Sequence, residues 1–130
     1  MVEVAEHRDV RQEQMRAWVT RNWGAPAMNR QERVERLLEE AMELAQAEGL
    51  STHRIHTIML HVFSKPRGEP AQEVGGVSNC LLAYCAAAGL SADDCEVTEM
   101  ARILNKTPEH FRARHQAKVD AGMATAFPVD

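Results

Sequence analysis

Aromatic residues are scarce in this chain. Two Trp, three Phe and one Tyr among 130 residues are too few for the base-stacking platform of a single-strand-binding protein. Excess positive charge is missing too. With a formal net charge of −4 there is no basic field to hold duplex nucleic acid. The three cysteines, Cys80, Cys85 and Cys95, form no CxxC pair. An odd number of thiols, with no apolar stretch in the opening "MVEVAEHRDVRQEQ" to act as a leader, implies free cysteines in a reducing cytoplasm. No apolar run of bilayer-spanning length occurs, so a membrane role is not expected. There is no Walker-type glycine loop, and Ser64 and Ser78 have no His–Asp signal beside them. HxxH at His53 and His56 lacks a Cys or carboxylate to complete a zinc set.

What is present is ordinary globular composition, 45% hydrophobic and 26% charged, with apolar residues at helical spacing throughout. The breakers are Gly24–Pro26, Gly49–Ser51, Ser64–Pro70, Gly89–Ser91, Thr107–Pro108 and the tail after Gly122. No stretch alternates as a strand would. The spacing predicts helices over roughly Val4–Asn22, Asn29–Glu48, "THRIHTIMLHVF" after Ser51, Pro70 to Gly89, a fifth after Ser91 and a sixth, "PEHFRARHQAKV", from Pro108. Ser51 is a good N-cap, Pro70 and Pro108 suit the first helical position, and Gly49 and Gly89 suit helix ends. The expected architecture is an all-α bundle of five to six helices in one domain over 1–122, with a tail at 123–130.

Two segments carry the chemistry. In "RLLEEAMELAQ", Glu39 lies on the helix face that Glu35 and Glu43 flank at about 40° to either side, and Glu40 lies about 100° round. Val34, Leu37, Leu38, Ala41, Leu44 and Ala45 fill the opposite arc. Alone, this is an amphipathic helix whose acidic face is solvated and tied by pairs such as Arg36 to Glu40. The second segment changes the weighing. "VGGVSNCLLAYCAAA", Val74–Ala88, has no charge at all, so it belongs in a bundle centre or a subunit interface. The three cysteines, Cys80, Cys85 and Cys95, read as simple core residues. Glu73 stands at its mouth, and a carboxylate facing a second row of carboxylates can hold Mg²⁺ or Mn²⁺.

These residues resemble the MazG-type all-α nucleoside triphosphate pyrophosphohydrolases, whose pattern is EExxE, a spacer, then ExxD. Glu39, Glu40 and Glu43 match the first half. Glu73 matches the start of the second, and Gly76 stands where the family has Asp. The phrase "GEPAQEVGGV" is similar to a subgroup with Gly at this place. The resemblance covers roughly Asn29 to Gly122. It implies a homodimer or tetramer that hydrolyses a (deoxy)nucleoside triphosphate to the monophosphate and pyrophosphate, using two or three Mg²⁺ or Mn²⁺ ions on Glu39, Glu40, Glu43 and Glu73. Asn79, Glu69 or water would fill the gap left by Gly76, or the chain binds fewer ions. Glu39, offset from the other two, would orient the attacking water. Arg112 and Gln116, with Arg114 and Lys118 nearby, correspond by residue type to the family's Lys-x-x-x-Asn phosphate clamp. On the first helix Trp18, with Gln12 or Arg16, is placed to stack on or hydrogen-bond a base, and Met15 serves the apolar wall equally well. A guanine nucleotide, dGTP, is the expected best substrate. The alternatives are a phosphoribosyl-ATP pyrophosphohydrolase-like enzyme and a catalytically degenerate helical oligomerisation module.

Overall fold

Six α-helices form along the chain, and among the described residues there is no strand. A computed structural model describes residues 2–128; Met1 and the tail residues Val129 and Asp130 lie outside the described residues. The helices are α1 Arg8–Trp23, α2 Arg30–Ala47, α3 Thr52–Phe63, α4 Pro70–Ala88, α5 Ala92–Leu104 and α6 Pro108–Asp120, with a 3-10 turn at Ala25–Ala27. Local chemistry sets most boundaries. Asn29 Oδ1 accepts from Glu32 N at 2.8 Å, Ser51 Oγ from Arg54 N and Ser91 Oγ from Asp94 N, both at 3.1 Å. Gly89 ends α4 in the left-handed conformation a helix stop uses, and Gly24 and Gly49 also take positive φ, which glycine tolerates, where α1 and α2 end.

The first helix starts later than its apolar spacing predicts, at Arg8 rather than Val4. Its own side chains hold the preceding residues outside the helix. Ala5 N donates to Gln14 Oε1 at 2.9 Å, Gln14 Nε2 donates to Glu3 O at 2.7 Å, and Arg11 Nη1 donates to the carbonyls of Ala5 and Glu6. Those main-chain groups are satisfied without helix, so the helix has no reason to extend through them.

The chain divides into two units, residues 1–38 with 96–130, and residues 39–95. The first has a well-defined core of Trp18, Val19, Ala27, Met100, Leu104 and Phe111. Its centre is a set of edge-to-face rings: Trp18 lies 4.9 Å from Phe111 and 5.2 Å from Trp23. Both indole N–H groups are used, Trp18 on Ile103 O and Trp23 on Phe111 O. This arrangement packs α1 against α6. At the other end of α1, the buried Arg11 donates from Nε and Nη2 to Glu96 Oε2 on α5, at 2.9 and 2.6 Å. Arg11→Ala leaves Glu96 with only Arg8, on Oε1 at 3.2 Å, removes the Arg11 donors from the Ala5 and Glu6 carbonyls, and is expected to cost about 1.5–3 kcal/mol in a chemical-denaturation series. Arg11→Lys, unable to form the same fork, recovers only part of it.

The 39–95 unit is different. Cys85 is its one buried residue. Along α3, Ile58, Met59, Leu60 and Val62 are exposed, and Phe63 is 84% exposed; along α4, Val74, Val77, Leu81 and Leu82 are exposed. Of the two places expected for α4, the centre of a bundle is not found within its own unit, where Cys85 alone of that helix is buried and most of its apolar side chains stay exposed. The reading of all three cysteines as core residues fails for Cys80 and Cys95, which are exposed. Free apolar area of this extent is unusual for a monomer. Among the described residues no single helix is long and apolar enough to cross a membrane.

Candidate carboxylate and phosphate sites

Glu39, Glu40 and Glu43 lie on α2 and Glu73 in the first turn of α4, with Asn79 further along α4. All five belong to the 39–95 unit. Glu39 is half-buried; Glu40, Glu43, Glu73 and Asn79 are exposed. Glu73 is held at the helix mouth by its N–H, which donates to Glu69 O at 3.0 Å. Its carboxylate folds back over Gly68, so closely that a Cβ there would come within 2.7 Å of Oε1. The backward tilt of side chains along a helix explains the direction. Gly75 and Gly76 border open space: nothing lies within 4 Å of a Cβ built at either. An Asp at 76 would fit without displacing a neighbour.

The carboxylates do not gather by themselves. Among the described residues no three His, Cys, Asp or Glu side chains stand close enough together to hold a metal ion. The donor types are right for Mg²⁺ or Mn²⁺, but among the described residues of the single chain they are not assembled into a coordination set.

The residues matched to phosphate and base lie in the other unit. Arg112 Nε donates to the Asn22 carbonyl at 2.7 Å, and Gln116 Nε2 to Asp120 Oδ1 at 2.9 Å. Lys118 is half-buried and Arg114 exposed. Gln12 is exposed on α1, and Arg16 reaches Glu13 at 3.6 Å. Trp18 is 9% exposed, with Trp23 and Phe111 edge-on to it. Met15 packs beside the same core.

A cluster that the sequence reading missed lies at the start of α2. Glu32, 5% exposed, has Arg36 Nε at 3.4 Å, Arg33 Nη2 at 3.7 Å and His115 Nδ1 at 3.8 Å from one oxygen. That oxygen, Oε1, is buried and accepts no hydrogen bond. The Arg33 guanidinium lies over the Trp23 ring at 5.7 Å. Burial holds Arg33 below the usual guanidinium range, Arg36 beside it adds to this, and Glu32 opposes it. The Asn22 side chain is fully buried too, and neither of its polar atoms has a partner. The Glu32–Arg36 spacing of four was the available signal, but Arg36 also stands four residues before Glu40, and sequence alone does not choose between them.

No family model, no curated protein and no solved structure matches this chain.

Proposed function

We propose that this chain is a metal-dependent nucleoside triphosphate pyrophosphohydrolase that works as a homo-oligomer. Water adds at the α-phosphorus, the bond to the bridging oxygen breaks, and the products are a nucleoside monophosphate and pyrophosphate. The observation that carries this reading is the pairing of an α2 bearing Glu39, Glu40 and Glu43 with a charge-free α4 opened by Glu73, both helices leaving their apolar residues uncovered. A protein of this kind is completed by a second copy. Covering α3 and α4 between subunits removes the exposed apolar surface, and it is the step that would bring carboxylates from different helices into one set.

The reading assigns Mg²⁺ or Mn²⁺ to Glu39, Glu40, Glu43 and Glu73, with Asn79 one turn beyond Gly76 on α4. Among the described residues no such set is gathered in the single chain. Arg112, Gln116 and Lys118 remain the candidates for phosphate, and Gln12 and Arg16 for the base. Trp18, enclosed by its own core, is the weakest of the proposed substrate contacts.

Two expected results test this part. Light scattering gives at least a dimer; a mass of about 14.6 kDa at low concentration would overturn the assembly. Mn²⁺ raises the melting temperature, by mass action on a site present only in the folded state. Gly76→Asp, which adds a carboxylate into open space, increases that rise. The uncovered helices and the absence of a gathered ligand set among the described residues also favour a second reading, a non-catalytic oligomerisation module. Such a module assembles equally well with chelator present and shows no Mn²⁺ stabilisation. A phosphoribosyl-ATP pyrophosphohydrolase shares the chemistry and is separated by substrate.

A further inference from the structure

We infer that residues 39–95 are ordered by a second copy of this chain, α3 and α4 packing on the partner's α3 and α4, while residues 1–38 and 96–130 fold without it. This coupling rests on the homo-oligomer proposed above and not on the hydrolysis. The two units differ in what they bury. The first closes six apolar side chains into its core and adds the Arg11–Glu96 fork. The second, among the described residues, buries Cys85 alone. Ordering a chain costs conformational entropy at every residue, and burial of apolar area is the main offset. The first unit holds that offset within itself and the second does not. The same holds locally for α3. It spans 12 residues, and an isolated helix shorter than about 12–15 residues is marginal in water.

Area and charge point to a copy of the same chain. The uncovered apolar side chains of α3 and α4, such as Leu60, Val62, Phe63, Val74, Val77 and Leu82 at 49% to 84% exposure, present on the order of 1,000 Å², and a standard stable interface takes about 800 Å² from each partner. On α4 the apolar residues share a face: Val74, Val77, Leu81 and Cys85 fall within about 80° of one another at a helix's 100° per residue. Ile55–Ser64 and Val74–Ala88 contain no Asp, Glu, Lys or Arg. A two-fold interface sets a patch against itself, so any charge on it meets its like, and a patch without formal charge escapes that repulsion. A polyanion, a basic protein or an anionic bilayer finds no counter-charge here. Glu39, Glu40, Glu43 and Glu73 lie in the same unit, so the proposed metal ligands are held in place only in the assembled protein.

The test is hydrogen–deuterium exchange of the full chain, read peptide by peptide, with light scattering in parallel. When the protein concentration rises about a hundredfold, exchange from residues 55–64 and 74–88 is expected to slow about tenfold, the fall in dissociated fraction that mass action gives a dimer. Exchange from α1 and α6 stays the same. Val77→Glu puts a charge on the α4 face and a better helix former in place of Val. It is expected to give a mass of about 14.6 kDa and to erase the protection of residues 39–95. Leu60→Glu does the same from α3. Fluorescence of Trp18 and Trp23, both in the first unit, checks that each variant keeps that unit folded. Equal protection of residues 39–95 at both concentrations, in a chain that scatters as an oligomer, overturns the coupling and leaves the oligomer standing. A single-chain mass at both concentrations overturns both. Assembly that survives both substitutions overturns the coupling, as does protection supplied by neutral phosphatidylcholine vesicles and not by added protein. No nucleotide or metal is present, so the hydrolysis stands or falls on pyrophosphate release alone.

Discussion

Phe111→Ala is expected to destabilise the unit that holds the aromatic core by about 3–5 kcal/mol, the range for removing a buried aromatic. Phe111 is 5% exposed and meets Trp18 edge-to-face at 4.9 Å, Trp23 at 6.0 Å and His110 at 5.0 Å. The cost has two parts: transfer of the ring to water, and the cavity left between α1 and α6, where two rigid indoles cannot collapse to fill it. Each indole is also tethered, Trp18 to Ile103 O and Trp23 to Phe111 O, which limits repacking further. Denaturation followed by tryptophan fluorescence reads this unit directly, since both Trp residues are in it. A loss below about 1 kcal/mol would mean that α6 does not pack on α1 through this ring.

The second large effect is on activity. Glu40→Gln and Glu43→Gln are each expected to abolish metal-dependent nucleotide hydrolysis while leaving α2 folded. Both side chains are exposed, so the substitution removes a negative charge without disturbing a core, and Gln keeps the helix propensity of Glu. Loss of an outer partner of a metal ligand usually costs 10–100-fold; loss of a proposed ligand is expected to exceed about a hundredfold. Helical circular dichroism unchanged with turnover gone is the expected pair of readings. Turnover unchanged in both variants would make the acidic face of α2 plain solvation.

Helix number and most helix ends were legible in the sequence because they depend on neighbours along the chain. Ser51, Pro70, Gly89 and Pro108 mark boundaries that the structure keeps. The start of α1 was not legible, since it depends on Gln14 and Arg11 reaching back to main-chain groups that helical spacing does not register. The charge-free character of α4 was plain, but composition says only that such a helix needs cover, not that its own unit buries so little of it. In the candidate site, the presence of Glu39, Glu40, Glu43 and Glu73 on two helices could be read directly. Whether they meet could not, because that depends on helix packing. The Glu32 cluster was hidden for a similar reason: His115 lies about eighty residues from Glu32, and no local pattern joins them.

Pyrophosphate release from dGTP, dATP, dCTP and dUTP in Mn²⁺ tests the central claim most directly. The account predicts stoichiometric monophosphate and pyrophosphate, dependence on Mn²⁺ or Mg²⁺, and dGTP as the best substrate. Open space beside Gly75 and Gly76 leaves room for a purine, and a pocket that hydrogen-bonds guanine O6 and N2 rejects other bases strongly. A clear pyrimidine preference would contradict the choice of base, and no metal-dependent pyrophosphate release from any of the four would contradict the pyrophosphohydrolase itself.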